Sequence, residues 1–200
     1  MRKVILLFAL MTTVLLSGCA DGGAQQALDT ALTIRSTFLN DPQCAFRASL
    51  SADYGQRVYD FELDVTRNAE ETVLTVISPE LVAGITARLR EETGFLEYDG
   101  LCLETGPLTS DGMSPLSAVP AMFDAIRGAY ILTCGYTQDG LLRVDYGDPE
   151  QPADSGTQFS IWFDPTTFNP TRGEVTCDGF RCVTCTFSLF TKELTLHAGT

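Results

Sequence analysis

The chain has one histidine, His197, three residues from its last, and one lysine beyond its opening residues, Lys192. A multi-histidine metal site is therefore excluded, and a His-based triad has only a tail residue to draw on, where chains commonly fray. His197 reads as a solvated tail side chain. One lysine leaves little scope for amine chemistry. There is no Walker loop and no G-x-S-x-G elbow, and Asp139-Gly140 and Asp178-Gly179 lack the ligand spacing of an EF-hand and read as turns. Carboxylates are so common that pairs such as Asp60 with Glu62, or Glu91 with Glu92, carry no specificity. The expectation is a protein with no catalytic residue, no metal site and no cofactor.

Basic residues are scarce as well. Lys and Arg number 13 against 26 Asp and Glu, a formal charge of −13. An acidic field repels phosphate backbones and anionic headgroups, so nucleic acid is excluded as a partner and no electrostatic membrane contact is expected. Internal repeats and low-complexity linkers are absent. Long apolar runs are absent too, apart from one at the start. A hydrophobic content of 44% argues against disorder and suits a single domain with a sizeable core.

That one run carries the strongest signal. Arg2 and Lys3 precede an apolar stretch over residues 4–16, which closes on Leu16-Ser17-Gly18-Cys19. About 13 apolar residues are too few for a stable span, which needs roughly 20, but they suit the core of an export signal. Ser17 and Gly18 are small enough for a peptidase to reach the backbone, and the Cys19 thiol can accept a diacylglycerol. The reading is a lipoprotein signal peptide over 1–18 and a lipidated Cys19, with an ordinary secretory signal or N-terminal anchor as the plainer alternative. Two or three acyl chains, palmitate among them, anchor firmly because each buried methylene adds about 0.8 kcal/mol. The expected location is the cell membrane within the cell envelope, lipid-anchored on its extracytoplasmic side. Loss of residues 1–18 leaves 11 basic against 26 acidic side chains, a formal −15.

Six cysteines remain: Cys44, Cys102, Cys134, Cys177, Cys182 and Cys185. Outside the cytoplasm an even set reads first as up to three disulfides. The foremost single pair is Cys177 with Cys182, set opposite each other by a four-residue hairpin loop over 178–181. Cys182 and Cys185 also have C-x-x-C spacing, but Val183, Thr184, Thr186 and Phe187 favour a strand, whereas a redox motif usually opens a helix. Thiol redox work is thus a weaker alternative, as is a zinc site from Cys177, Cys182, Cys185 and a distant fourth ligand.

Apolar periodicity predicts a first helix over 24–39, ended by Asn40-Asp41-Pro42. Alternation then predicts strands over 44–54, 57–67, 72–78 and 85–90, followed by a hairpin over 95–103 around Asp99-Gly100, which suits a type I′ turn. A second helix fits 114–127, with Ser114 as cap, Pro115 at its first position and a stripe of Leu116, Val119, Met122, Phe123 and Ile126; Pro120 is expected to bend or restart it. Strands resume over 130–136, 141–146, 157–163, 173–177 and 182–190. Phe168 lies in a rigid aromatic turn over 164–170 as a possible contact point. The sum is an α+β protein, a large curled antiparallel sheet of about nine to eleven strands, covered by two helices.

This order resembles the LolA/LolB-like family of envelope lipoprotein carriers. The likeness runs through Ile77-Ser78-Pro79-Glu80-Leu81-Val82-Ala83-Gly84-Ile85, then Leu96-Glu97-Tyr98-Asp99-Gly100-Leu101, then Ser114-Pro115 at the start of the lid helix. Clostridial spore-germination lipoproteins form a similar branch. The resemblance implies an incomplete barrel, a LolA-like half-barrel domain over 44–200 with which the lipidated N-terminus and first helix, 19–43, pack. It also implies a groove between sheet and lid for a lipid or other hydrophobic ligand. Groove candidates are Phe46, Leu50, Phe61, Leu63 and Val65 on the sheet, Met122, Phe123 and Ile126 on the lid, and Trp162 in the most aromatic strand. The plain alternative is that these side chains are a filled core. A second function reading is an interaction protein whose partner is a cell-wall hydrolase or an envelope complex.

Overall fold

The computed structural model describes residues 20–90, 93–106, 114–152 and 154–192. Among the described residues, two helices, α1 (Ala20–Asn40) and α2 (Pro115–Gly128), accompany eleven strands: β1 (Cys44–Asp53), β2 (Val58–Arg67), β3 (Thr72–Ser78), β4 (Thr86–Leu89), β5 (Gly94–Tyr98), β6 (Leu101–Glu104), β7 (Tyr130–Tyr136), β8 (Leu142–Gly147), β9 (Thr157–Phe163), β10 (Pro170–Cys177) and β11 (Phe180–Thr191). All eleven form one antiparallel sheet in the order β6-β5-β4-β3-β2-β1-β11-β10-β9-β8-β7. Every neighbour is a hairpin partner except β1 and β11, which join the two meanders. β6 and β7 are the free edges, so the sheet is an unclosed half-barrel.

Alternation sets the two faces. On β1 the buried residues are Cys44, Phe46, Ala48, Leu50 and Ala52, and in register beside them stand Val65 and Leu63 of β2 and Val183, Cys185 and Phe187 of β11. These point to the concave side, where both helices lie. Each helix offers a narrow stripe. That of α1 is Ala27, Ala31, Ile34 and Phe38, while Leu32 and Leu39 stay exposed. That of α2 is Ala118, Val119, Ala121, Met122, Phe123, Ala125 and Ile126. Small residues let the helices come close, and Gly173 of β10 does the same from below: a Cβ there would meet Met122 Sδ at 2.5 Å.

Local signals explain the ends of these elements. At the start of α2 the Ser114 hydroxyl accepts from the Ser117 amide and the Ser117 hydroxyl from the Ser114 amide, both at 3.1 Å, a reciprocal cap that satisfies two otherwise orphaned donors. Asp99 and Gly100 have φ of 49° and 77°, as a type I′ turn requires. Three expectations need correction. The first helix extends back through Gly22 and Gly23 to Ala20. Pro120 does not interrupt α2, because the carbonyl it leaves unpaired lies in the first turns. β10 starts at Pro170 rather than at 173, as proline needs no ladder donor at the first residue of a strand.

One irregularity shapes the core. β11 carries an extra residue between its pairings of Ser188 with Arg47 and Thr191 with Ala45, and Leu189 there has φ of 54°. The bulge changes the phase of the strand. Leu189 faces solvent, and Phe190 turns inward onto Phe46, ring centroids 5.3 Å apart.

Candidate functional site

The concave face divides into two regions. Over β1 and β7–β11 the helices form a roof, with buried apolar side chains beneath it. Phe123 of α2 is the hub: its ring stacks on Phe46 at 4.9 Å and meets Phe38 at 5.7 Å, Phe187 at 5.9 Å and Phe190 at 6.4 Å. Leu50, Leu63, Val65, Met122 and Ile126 are buried around it, and Phe61 is half-buried at the margin. Eight of the nine groove candidates thus come together in or against one buried cluster between sheet and roof.

Two arginines join the roof to its surroundings. Arg35 of α1 donates through Nε to the Ile126 carbonyl at 2.9 Å and through Nη2 to the Ala129 carbonyl, so it satisfies free carbonyls at the C-terminal end of α2. Arg67 of β2 is buried and donates to Asp124 of α2 at 2.6 Å, its guanidinium 5.9 Å from the centre of the Phe123 ring. Tyr146 is fully buried under α1, and burial holds its hydroxyl pKa well above the usual range, with Arg35 opposing the shift. That hydroxyl has no hydrogen-bond partner among the described residues.

Trp162 lies apart from the other eight candidates. Phe159, Ile161 and Phe163 take the inward positions of β9, so the intervening Trp162 falls on the convex face. There it lies between Arg143 and Arg172, its partners on β8 and β10, with guanidinium carbons 5.1 and 4.1 Å from the ring centre. It is 5% exposed because two arginines cover it, not because the core does.

The second region is the wing, β4–β6 and the short 3₁₀ turn Glu80–Val82. Its inward residues continue the core strand by strand. Buried Ala87 stands opposite Leu96, Leu96 opposite Leu103, and Tyr98 opposite Leu101. Leu96 is half-buried and packs on the core, but Tyr98 is 53%, Leu103 64% and Leu101 76% exposed. This strip of apolar surface was missed as a candidate. The signal was available, for a two-residue turn at Asp99-Gly100 fixes Tyr98 against Leu101 and Leu96 against Leu103 on one face. The convex side of the same strands is polar, with Arg88 bridging Glu97 at 3.0 Å and Glu71 at 3.3 Å.

A separate open groove of about 760 Å³ runs beside the first turns of α1. Gln25, Gln26, Asp29, Thr30 and Thr33 make its lining polar, and Thr30 Oγ1 lies 3.0 Å from the Tyr136 hydroxyl. Phe168 lies against it, partly buried on the core.

The six cysteines are free thiols in this structure. A framework of three disulfides does not fit the register. Cys185 stands opposite Leu50, six positions along β1 from Cys44 and so about 20 Å away at ~3.3 Å per residue. Cys102 and Cys134 occupy opposite free edges. The C-x-x-C pair lies along one strand, Cys185 is held well above the normal thiol pKa by burial, and Cys182 is pushed up to about 12 by burial and the Cys177 hydrogen bond. Activated redox cysteines have lowered values. No group of three or more His, Cys, Asp or Glu among the described residues could hold a metal ion. Cys19, Glu91, Glu92 and His197 lie outside the described residues.

No family model matches the chain, and no curated protein matches it in sequence. Solved structures do match. A DUF1329 family protein from Desulfovibrio piger is 10% identical over 87% of this chain and 95% of its own, with a TM-score of 0.51. A protein described as an outer membrane lipoprotein-sorting protein domain, from Vibrio parahaemolyticus, is 8% identical over 88% and 95%, with a TM-score of 0.50. The fold is LolA-like. A LolA superfamily protein from Nitrosomonas europaea also matches, at 10% identity over 84% and 93% and a TM-score of 0.43. At such identities the likeness is one of architecture, so the LolA-like half-barrel must be assigned a role from its own side chains.

Proposed function

We propose that this chain is a non-enzymatic envelope lipoprotein, tethered to the extracytoplasmic face of a membrane through acylated Cys19, that holds a lipid or other hydrophobic ligand on its concave face. The observation that carries the reading is the exposed apolar strip of Tyr98, Leu101 and Leu103, continuous with the core through half-buried Leu96 and outside the roof. Chains seldom leave large inward-facing leucines of a sheet in water without a partner. Covering one such side chain is worth about 1.5–3 kcal/mol, so two leucines and a tyrosine ring suffice for useful affinity toward an acyl chain. The buried aromatic cluster under α2 and the exposed strip beyond it favour the wing as the holding surface. The LolA-like fold and the lipobox at Cys19 support the same reading.

β6 is also an edge of the sheet among the described residues, so an envelope protein could add a strand there instead. One experiment separates the two. The lipoprotein is purified from native membranes in mild detergent, and native mass spectrometry and solvent extraction are applied to the wild type and to the Leu101→Asp, Leu103→Asp double variant. The proposal expects a bound lipid in the wild type and at least a tenfold weaker apolar-probe affinity in the variant, at unchanged Tm. Co-purification of a stoichiometric protein without lipid supports the docking reading. A bare wild type that binds no apolar probe overturns the ligand reading.

A further inference from the structure

The hairpin of β10 and β11 differs from the loop its sequence suggests. Cys177 pairs directly with Phe180, so Asp178 and Gly179, with φ of 48° and 76°, make a two-residue turn. The register then slips. Thr176 stands opposite Arg181 but Val175 stands opposite Val183, and Cys182 is the extra residue of a bulge. Bulged strands bend and re-aim the side chain at the bulge. Here the bulge brings Cys182 Sγ to 3.4 Å from Cys177 Sγ, while the Cys182 thiol also donates to the Val175 carbonyl at 3.4 Å. The turn is held from outside as well: the Asp178 carboxylate accepts from the Gly156 amide at 2.8 Å and its own amide donates to the Gly156 carbonyl at 2.9 Å.

We propose that Cys177 and Cys182 form the one intramolecular disulfide of the chain after export, and that Cys44, Cys102, Cys134 and Cys185 remain thiols. The pair is in place before the bond forms, whereas the alternatives are ruled out by strand geometry. Cys182 and Cys185 are three residues apart on one strand, about 10 Å at ~3.3 Å per residue, and a disulfide requires Cα atoms within about 7 Å. The two thiols also differ in access. Cys177 is partly exposed and Cys182 buried, so Cys177 attacks a disulfide of an envelope thiol-oxidising protein and forms a mixed disulfide, which Cys182 then attacks. One S–S bond forms in the chain, the oxidant's disulfide breaks, and the oxidant leaves as two thiols carrying the two protons.

The timing of the bond rests on the extracytoplasmic placement above, while the pairing rests on geometry alone, and the test keeps these apart. Full-length protein is taken from membranes of its own host, quenched in acid, alkylated with N-ethylmaleimide under denaturing conditions and digested with trypsin without reduction. Cleavage after Arg172, Arg181 and Lys192 separates Cys177 from Cys182, so the bond joins peptide 173–181 to peptide 182–192, with Cys185 alkylated. A second sample is fully reduced, refolded and treated with oxidised glutathione. The joined peptides are expected in both samples, and their loss is expected in Cys177→Ser but not in Cys185→Ser. Joined peptides in the glutathione sample alone support the pairing and overturn its formation after export. Alkylation of both Cys177 and Cys182 in both samples, or a link through Cys185, overturns the pairing.

Discussion

The roofed region and the wing belong to the same sheet and are held in opposite ways. Under the roof, cohesion comes from inside: four phenylalanines meet around Phe123, and the helices that cover them are fastened to the sheet by Arg67 and to each other by Arg35. On the wing, the described cohesion is external. Arg88 and Arg90 bridge Glu71 and Glu97 across the convex face of β3–β5, while the concave side keeps its leucines in water. One half of the sheet is a core, and the other is a surface of core-like composition. The difference teaches where a ligand could add stability that the chain lacks by itself.

Three substitutions break or sharpen that contrast. Phe123→Ala removes the hub of the roofed region and is expected to cost about 3–5 kcal/mol in urea unfolding; a loss below 1 kcal/mol would mean that the roof is not what holds the fold. Arg35→Met keeps an apolar stem but strands the Ile126 and Ala129 carbonyls, for an expected loss of about 1.5–3 kcal/mol. Hydrogen exchange should then rise at the C-terminal end of α2 while the wing amides stay unchanged. The smallest effect belongs to the wing: Arg88→Ala deletes two half-exposed ion pairs and should change stability by about 0–1 kcal/mol, less still in high salt. A larger cost there would show the convex ladder to be as important as the aromatic core.

Much of this architecture was legible in the chain. Alternation located ten strands to within a residue or two, with β10 three residues off, and Ser114-Pro115 and Asp99-Gly100 marked a helix start and a hairpin turn because those positions have steric and capping requirements that few residues meet. What escaped was whatever depends on register between strands. Trp162 follows Ile161 in an unbroken aromatic run, and only the pairing with Arg143 and Arg172 reveals that it faces outward. Phe190 owes its inward aim to a bulge that no spacing announces. The cysteines illustrate both sides. Their number suggested a disulfide framework, whereas their strand positions leave only Cys177 and Cys182 adjacent. Eight of the nine groove candidates lie in or against one buried cluster, yet whether grouped apolar residues enclose space or fill it depends on packing, which periodicity does not encode.

Arg35 has a consequence for exchange. Because one side chain clasps the end of α2 from α1, neither helix can lift without exposing free carbonyls and a part-buried guanidinium together. The two helices therefore act as a fixed ceiling and not as a hinged door. On the proposed ligand reading, a guest would enter sideways along the margin at β6, and how long it stayed would be set by the apolar contact it makes there.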